Sequence, residues 1–543
     1  MPWPDGLEYA AAAVNLVNGH GAVLHFGGYT YPSRYTGGYP LILEFFYRLF
    51  GRHIPIPFLA VTSGILGMLS VGILFILARA LFGRAAGTIA ALTLALSPVF
   101  ITYSSLVMSD VPTLFVTLCA AVILFSVGSH NTGESIQWKR IPVWAMFGLF
   151  AGFSTIIRPT NATILAGLAV CIVMVPLENR DPASLLKAAI AVAVGFAVPV
   201  AWQLHQNAIN LGSAFASGYS WWVPEVYGAM GRPFSAAYLF GPTMPRNPHG
   251  NVLVYATTLL GLDGMLGDRG DARYFLYPFA AAAFAIVGFI AILRAPEKAA
   301  ARRLMWFGLG YLAALTALYC FYLFTDVAFI LPAAFVLFIA AGAGAALANR
   351  WMREVLRNHD RSAGQLGAAA GVIALDLMLI VSLATETAVR LNARPTDSAM
   401  VESLESLDST LPRDATIVSN ISLQFLDLYL GEQRRFVGLN SLDPGERFTD
   451  YHLHRLYVKR AAGWNGPVPA VVFDGAQMSP AEADSLASAI DAKTPVFLML
   501  AAPESQDYAD ALKGELDQLQ GKFAVEPVSQ NEAVALYRLT ARK

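Results

Sequence analysis

Long apolar segments alternate with short polar ones through most of the chain, and this pattern predicts a multi-pass α-helical membrane protein. A helix that spans a membrane needs about 20 apolar residues. Ten segments approach that length and are predicted to be spanning helices: 54–78, 86–106, 111–128, 142–158, 160–176, 186–206, 273–293, 304–324, 327–348 and 367–387. Two short segments meet at Pro159, and we interpret them as a tight hairpin at Arg158-Pro159-Thr160; the alternative is one kinked span.

Composition agrees with this class. Of the 543 residues, 56% are hydrophobic and 14% are charged, and the mean hydropathy is +0.51, whereas a soluble domain has about 25% charged residues. The net charge of -1 comes without a Lys/Arg-rich arm, so nucleic-acid binding is not expected. The three cysteines lie in apolar segments and are interpreted as small apolar residues rather than as disulfides or zinc ligands.

The apolar segments divide the chain into three regions. Residues 1–53 are predicted to be an external first loop, and residues 54–394 form the transmembrane core. Residues 395–543 have the composition of a soluble domain, which we interpret as an external cap or acceptor-recognition domain. Buried strands are predicted at 415–419, 470–473 and 495–500, and amphipathic helices at 479–490 and 508–519. Alternating strands and helices predict a small α/β domain with a largely parallel sheet.

The distribution of positive charge predicts the orientation, because cytoplasmic loops carry an excess of Lys and Arg. Basic residues cluster in alternate loops: Arg79 and Arg84; Lys139 and Arg140; Arg294, Lys298, Arg302 and Arg303; and Arg350, Arg353, Arg357 and Arg361. This places the first loop, the 104–110 turn, Arg158 and the C-terminal domain outside the cytoplasm. Because the amino terminus then lies outside, we expect the chain to lack a first spanning helix.

The external loop at 207–272 is about 65 residues long, which is too long for a simple connection. It contains Tyr219, Trp221 and Trp222, and residues 251–262 are predicted to form a short amphipathic helix in the membrane interface. Interfacial aromatic residues usually anchor a protein at the lipid surface. The alternative hypothesis is that the loop is a lid over a lipid-linked substrate.

Two acidic residues are candidates for catalysis. Asp5 precedes a predicted helix at 7–17, and Asp110 precedes Pro112, so each could simply cap a helix. However, an ionisable group between apolar segments is a functional-site hypothesis by default, and the predicted topology places both on one side. One carboxylate could accept a proton from a hydroxyl or amine while the other orients it. A pair of carboxylates is also compatible with a divalent metal.

Two external arginines are candidates for binding a phosphate. Arg158 follows a predicted spanning helix and Arg34 lies in the first loop, and a guanidinium can bind a phosphate in a bidentate manner. The alternative is that their side chains reach the membrane interface without binding substrate. Asp326 is predicted to be a helix cap, and the histidines lack metal-ligand spacing.

Several motifs occur in an order that resembles the GT-C glycosyltransferases, in particular the protein O-mannosyltransferase and aminoarabinose-transferase branch. The resemblance covers about residues 1–350. The motifs are Asp5-x-x-x-Tyr9, Gly38-Tyr39-Pro40-Leu41, Met108-Ser109-Asp110-Val111-Pro112, Gly148-Leu149-Phe150-Ala151-Gly152 leading to Arg158-Pro159, and Asn210-Leu211-Gly212 leading to Gly218-Tyr219.

The resemblance implies a polyprenyl-phosphate sugar as donor and a lipid, glycan or protein as acceptor. It implies no firm metal site. It also implies two sets of site residues: Asp5 and Asp110 as catalytic carboxylates, and Arg34, Tyr39, Arg158 and Tyr219 in substrate binding.

The sequence departs from the family pattern at two places. Gly6 follows Asp5 where the family has a second adjacent acid, and the nearest acid, Glu8, is offset. The 326–332 segment lacks the usual Arg, which leaves one donor contact unassigned.

The sequence therefore predicts a glycosyltransferase of the bacterial inner membrane that transfers a sugar on the external face with inversion. Two other classes of protein would require different features. A transporter or lipid flippase would need charged residues in the middle of its spans, where the sequence offers only Asp376. A non-catalytic scaffold that displays the C-terminal domain would leave Asp5 and Asp110 far apart, or directed into solvent away from the lipid, with no cavity between them.

Overall fold

The computed structural model describes residues 4–26, 29–51, 56–127, 140–174, 182–222, 233–243, 249–262, 276–294, 299–357, 362–392, 398–421, 426, 429–430, 434–438, 490, 494–501, 506–531 and 533–542. The α-helices are α1 (Pro4–Val17), α2 (Gly38–Phe50), α3 (Ile56–Phe82), α4 (Arg84–Ala95), α5 (Pro98–Ser104), α6 (Asp110–Val127), α7 (Ile141–Ile157), α8 (Ile164–Met174), α9 (Pro182–Leu211), α10 (Gly218–Trp222), α11 (Asn251–Leu259), α12 (Phe279–Arg294), α13 (Ala299–Cys320), α14 (Leu331–Arg357), α15 (Ala363–Asn392), α16 (Ser398–Asp408) and α17 (Gln506–Lys522). Short 3-10 helices occupy Pro159–Thr163, Ala236–Leu239 and Val327–Ile330.

The predicted helical membrane fold is confirmed. Each predicted span coincides with an apolar helix or, for 86–106, with a bent pair of helices. In the described part of the chain, five helices are long and apolar enough to cross a membrane, and the bent pair makes a sixth span. The remaining four predicted spans are shorter apolar helices: 110–126, 141–157, 159–174 and 279–294.

The segment predicted as one span at 86–106 bends by 63° between α4 and α5. Pro98 begins α5, and the residue before a proline is disfavoured in the helical region. Ser97 accordingly adopts an extended conformation, and its hydroxyl donates to the Leu276 carbonyl oxygen at 2.6 Å. The bend redirects the chain into the turn that leads to Asp110.

The chain also leaves helical geometry at Arg158, as predicted. Arg158 has extended backbone angles, and the 3-10 helix at Pro159–Thr163 then leads into α8. Helix α7 packs mainly on α9, whereas α8 packs on α13. The two helices therefore belong to different parts of the bundle.

Helix α14 lies at the centre of the bundle, because 94% of its apolar span is buried. It packs on α12 through glycines: a Cβ atom on Gly344 would overlap the Phe284 carbonyl oxygen, and one on Gly288 would overlap the Ala340 carbonyl oxygen. Helices α7 and α9 approach each other in the same manner at Gly148 and Gly195. Small residues of this kind let helix backbones pack closely in a membrane, where the hydrophobic effect contributes little.

Residues 4–26 and 29–50 form a compact N-terminal unit. Helix α1 packs on α2, and an antiparallel hairpin of β1 (Val23–Phe26) and β2 (Tyr29–Pro32) connects them. Alanines occupy the buried positions 10–13 of α1, which allows a close approach to its neighbours.

The C-terminal domain contains a five-stranded sheet of order β4-β3-β5-β7-β6. The strands are β3 (Thr416–Ser419), β4 (Arg435–Gly438), β5 (Val496–Ala501), β6 (Phe523–Gln530) and β7 (Val534–Ala541). The predicted strands at 415–419 and 495–500 and the predicted helix at 508–519 are confirmed. The predicted elements at 470–473 and 479–489 lie outside the described residues.

The sheet is mixed. Our prediction of a largely parallel sheet is therefore wrong. Strand β3 pairs in parallel with β4 and β5, but β7 pairs antiparallel with both β5 and β6. The reason is the short connection between β6 and β7, since only an antiparallel pair can be joined by a tight turn.

The C-terminal domain packs on the N-terminal unit. One continuous buried apolar cluster includes Leu43 and Tyr47 of α2 together with Leu404, Leu430 and Met499 of the C-terminal domain. The domain and the N-terminal unit are therefore in direct contact.

We expect Gly344→Ala to destabilise the protein, because the new methyl group would overlap the α12 backbone. Overpacking of this kind costs about 1–3 kcal/mol. Gly72→Ala in α3 is the matched control, since a Cβ atom there meets nothing within 4 Å and alanine favours a helix over glycine by about 1 kcal/mol. Thermal unfolding of the two purified variants in detergent should show a lower Tm only for Gly344→Ala; equal Tm values would contradict the close packing of α12 and α14.

Candidate functional site

The first part of the site is an ion pair between Asp5 and Arg34. The Arg34 Nη2 atom lies 3.0 Å from Asp5 Oδ1 and 3.1 Å from Glu8 Oε2. Asp5 and Glu8 are three residues apart on α1, so one helix face presents both carboxylates to the same guanidinium. Arg34 is only 7% exposed and Glu8 is fully buried, whereas the Asp5 side chain is 28% exposed. Asp5 is therefore the member of this cluster that solvent or a substrate can reach.

Glu8 attaches the loop after β2 to α1. Its Oε1 atom accepts hydrogen bonds from the Ser33 hydroxyl at 3.0 Å and from the Arg34 backbone N–H. Burial raises the pKa of the Glu8 carboxyl above its usual value, while the Arg34 guanidinium opposes this shift. Glu8 therefore fixes both the backbone and the side chain of Arg34.

Aromatic rings surround the Arg34 guanidinium. Its central carbon lies 4.6 Å from the centroid of the Tyr35 ring and 5.9 Å from that of Tyr219. The Tyr35 ring stacks on Tyr9, with centroids 4.5 Å apart, and meets Tyr219 edge to face at 5.6 Å. Tyr219, on α10, therefore contacts Arg34 and Tyr35 of the N-terminal unit.

The second part of the site is a more deeply buried ion pair between Asp110 and Arg158. Asp110 is the first residue of α6 and is fully buried, and its Oδ1 atom accepts a hydrogen bond from an Arg158 Nη atom. Its Oδ2 atom is also buried and has no hydrogen-bond partner among the described residues. Arg158 is 17% exposed. In this pair, unlike the first, the cation is the more accessible partner.

Phe329 covers one face of the Arg158 guanidinium. The central carbon of the guanidinium lies 4.8 Å from the centroid of the Phe329 ring, a distance at which a cation is attracted to an aromatic face. The Phe329 ring stacks in turn on Tyr319, at 4.7 Å. The 326–332 segment therefore contacts the guanidinium of Arg158, the residue that follows α7.

The two ion pairs are adjacent. The Tyr9 hydroxyl donates to Ser109 Oγ at 3.2 Å, and a Cβ atom on Gly6 would lie 3.0 Å from the Val107 carbonyl oxygen. Helix α1 therefore contacts Val107 and Ser109, which lie three residues and one residue before Asp110. The scaffold hypothesis predicted that Asp5 and Asp110 lie far apart or point into solvent, and this contact is contrary to the first of these alternatives.

Tyr39, like Asp110, is fully buried. Its hydroxyl is 3.0 Å from Ser63 Oγ, and its ring meets Tyr9 edge to face. These contacts connect α2 with α3 beneath the two ion pairs. Substrate binding by Tyr39 stays a prediction.

The acidic residues do not fit a metal site. Asp5 and Asp110 each pair with a guanidinium, so each carboxylate is already neutralised and a nearby positive charge opposes the approach of a cation. The described residues also contain no group of three or more His, Cys, Asp or Glu side chains that could hold a metal ion. We therefore derive no step through a metal.

Asp326 is confirmed as a helix cap, because its Oδ1 atom accepts from the Ala328 backbone N–H at 2.8 Å. Sequence reasoning missed the roles of Glu8 and Phe329. For Glu8 a signal was present in its spacing of three residues from Asp5; for Phe329 the sequence offers none, because its partner lies on another helix.

Comparison with known proteins identifies the class of this fold. Residues 38–202 match the dolichyl-phosphate-mannose-protein mannosyltransferase family, a region that includes Asp110 and Arg158. No curated protein matches the sequence.

Solved structures extend the likeness to nearly the whole chain. ArnT from Cupriavidus metallidurans, bound to undecaprenyl phosphate, matches with a TM-score of 0.58 at 14% identity, over 99% of this chain and 94% of ArnT. The oligosaccharyltransferase of Archaeoglobus fulgidus in its apo form matches with a TM-score of 0.57 at 13% identity, over 99% of this chain and 70% of that chain. The same archaeal enzyme with an inhibitory peptide and a dolichol-phosphate gives a TM-score of 0.55 at 11% identity, over 97% and 69%.

The chain has the GT-C fold, as the motif order predicted. The family match and the fold together confirm the predicted class, a membrane glycosyltransferase that resembles the polyprenyl-phosphate-sugar-dependent enzymes.

We expect Glu8→Ala to destabilise the protein strongly, because it leaves Arg34 buried with only the half-exposed Asp5 as counter-ion. Removal of one partner from a buried ion pair costs about 3–5 kcal/mol. Glu44→Ala is the matched control: Glu44 pairs with the exposed Arg48 one turn away, and such surface pairs contribute about 0–1 kcal/mol. Thermal unfolding in detergent measures both; a Tm for Glu8→Ala as high as that of Glu44→Ala would contradict the structural role of Glu8.

Proposed function

We propose that this protein transfers a sugar from a polyprenyl-phosphate donor to an acceptor on the non-cytoplasmic face of a membrane. The observation that carries the proposal is the adjacency of the two ion pairs on a GT-C fold, with one carboxylate and one guanidinium left accessible. The chemistry needs both kinds of group: a base that acts on the acceptor and a cation that holds the donor phosphate.

Asp5 acts on the acceptor in this proposal. It is the most exposed of the three acids in the cluster, and it lies beside Arg34. Asp5 accepts the proton of an acceptor hydroxyl or amine as the acceptor oxygen or nitrogen attacks the anomeric carbon. The bond from that carbon to the phosphate oxygen breaks, and the configuration inverts. Because the phosphate is already a good leaving group, no strong general acid is needed.

Arg158 binds the donor phosphate. One of its Nη atoms donates to Asp110, but a guanidinium has five N–H donors, so others remain for phosphate oxygens. Asp110 is fully buried, and we therefore assign it to the orientation of Arg158 rather than to direct contact with the sugar. The Arg158 guanidinium lies over Phe329 of the 326–332 segment, and this supports Arg158 as the missing donor contact.

Arg34 serves as the counter-ion of Asp5. Arg34 is only 7% exposed and pairs with both Asp5 and Glu8. Fewer of its N–H groups are therefore accessible to a phosphate than the sequence analysis predicted. Tyr219 contacts Arg34 from the 207–272 loop, and this position supports a role of the loop beside the acceptor. Tyr39 packs on Tyr9 and so supports the cluster around Asp5 and Arg34.

The charge pattern and the packing of the C-terminal domain support the localisation that we propose. Basic loops favour the cytoplasm, and this supports the opposite side for both ion pairs and the C-terminal domain. We propose a bacterial inner membrane with these parts in the periplasm, and a lipid, glycan or protein as acceptor beside the C-terminal domain.

We expect Asp5→Asn to abolish most sugar transfer, because an amide cannot accept the acceptor's proton. Loss of a general base typically lowers the rate about 100- to 10,000-fold. The measurement is transfer in membranes supplied with a panel of radiolabelled polyprenyl-phosphate sugars, at equal expression, with Glu44→Gln as control. Transfer by Asp5→Asn at the rate of wild type would exclude Asp5 as the base, and the absence of transfer from every donor by wild type would overturn the proposed function.

We expect single cysteines on opposite sides of the membrane to react differently with a membrane-impermeant maleimide in intact bacterial cells. Ser529→Cys, on the exposed strand β6, should be labelled from outside. Arg353→Cys, exposed near the end of α14, should be labelled only after the membrane is opened. The wild-type chain, with Cys119, Cys171 and Cys320, provides the background. Labelling of Arg353→Cys alone in intact cells would reverse the orientation.

A further inference from the structure

A buried polar network attaches the 207–272 loop to the end of α13. Asn251, the first residue of α11, is fully buried, and its Nδ2 atom donates to the carbonyl oxygens of Tyr319, Cys320 and Tyr322 at 3.0, 3.3 and 2.6 Å. Its Oδ1 atom accepts from the Thr325 hydroxyl. One side chain thus bonds to two carbonyl groups of the last turn of α13, where intrahelical partners are missing, and to the Tyr322 carbonyl beyond it. The network fixes the course of the chain from Tyr319 to Thr325.

Asp326, the residue after Thr325, connects this network to the 3-10 helix that follows. The Asp326 carboxylate caps the 3-10 helix Val327–Ile330, accepts from the Tyr103 hydroxyl, and is followed by Phe329 within that helix. The Tyr255 hydroxyl, on α11, also donates to the Asp326 carbonyl oxygen at 3.3 Å. The backbone position of Phe329 is therefore set from α5 and α11 together.

Phe329 and Asp110 hold Arg158 from two directions. The Asp110 carboxylate accepts a hydrogen bond at one edge of the planar Arg158 guanidinium, and the Phe329 ring covers one of its faces. The ring is itself fixed by stacking on Tyr319, whose hydroxyl lies 2.6 Å from Thr160 Oγ1, two residues beyond Arg158. A flexible arginine held at an edge and a face loses little further freedom when it binds a phosphate.

We propose that Phe329 is a positioning residue for Arg158, and that the Asn251 network holds Phe329 in place. Phe329 does not touch the substrate; it sets the plane in which Arg158 presents its remaining N–H groups to the donor phosphate. The 207–272 loop, through Asn251, thereby contributes to donor binding. This inference rests on the proposed function, since it concerns how the donor phosphate is bound.

The test compares Phe329→Leu with Phe329→Tyr. Leucine keeps an apolar side chain but removes the aromatic face, whereas tyrosine keeps the face. Loss of a cation–aromatic contact should weaken donor binding about fivefold. We expect Phe329→Leu to raise the KM for the polyprenyl-phosphate sugar by about that factor with kcat changed less than twofold, and Phe329→Tyr to retain the wild-type KM.

Two controls separate positioning from general damage. Phe284→Leu removes another buried ring, on α12, and should lower the Tm without a change in KM. In a double-mutant cycle, Phe329→Leu should have little further effect on KM once Arg158 is changed to Gln, because residues that act through one another are not additive. Binding of the bare polyprenyl phosphate to the purified protein should follow the same pattern and needs no turnover.

Each outcome is decisive for the inference. An unchanged KM and affinity in Phe329→Leu, or equal effects with Arg158 present and absent, would overturn the positioning role even if wild type transfers sugar. Failure of Phe329→Tyr to restore donor binding would also overturn it. If wild type neither transfers sugar nor binds polyprenyl phosphate, the proposed function itself fails, and this result is distinguishable from the others.

Discussion

The arrangement of this site depends on the burial of charge. Asp110 is fully buried and Arg158 is 17% exposed, and the charge of Asp110 could not stay there alone, because removing an ion from water costs several kcal/mol. Pairing ties the start of α6 to the end of α7. The bend after α4 and the break at Arg158 deliver these two residues to one place, and in both cases a proline follows the residue that leaves helical geometry.

The two ion pairs are similar in composition but opposite in exposure. In the first pair the carboxylate of Asp5 is accessible and the arginine is buried; in the second the carboxylate is buried and Arg158 is accessible. A buried partner in each pair fixes the charge and orientation of the accessible one. A partly exposed anion, Asp5, beside a partly exposed cation, Arg158, fits a reaction in which the acceptor loses a proton while the donor phosphate leaves.

Much of the fold could be predicted from the sequence, because the length and hydropathy of a segment are local properties. The alternation of basic loops correctly placed Asp5 and Asp110 on one side. The pairing of the acids could not be predicted, since Asp5 and Arg34 are 29 residues apart and Asp110 and Arg158 are 48 apart. Such contacts are decided by tertiary packing, as is the position of Phe329 against Arg158.

One strand of the C-terminal sheet could not be predicted from its local sequence pattern. Strand β6 contains Pro527 and mostly exposed residues, features that argue against a buried strand. It forms nevertheless because it lies at the edge of the sheet, with a register shift after Pro527, and proline is tolerated at such positions. The apolar strands β3 and β5, buried in the sheet, were predicted correctly from the same kind of pattern.

The most direct test of the account is a cryo-EM structure of the protein with a polyprenyl phosphate bound. We predict that the phosphate lies within hydrogen-bonding distance of Arg158, with Asp110 still on the guanidinium edge, Phe329 on its face and Asp5 facing the open side of the phosphate. Phosphate density away from Arg158, with Asp5 directed away from it, would contradict the central claim that these two adjacent ion pairs form the site of transfer.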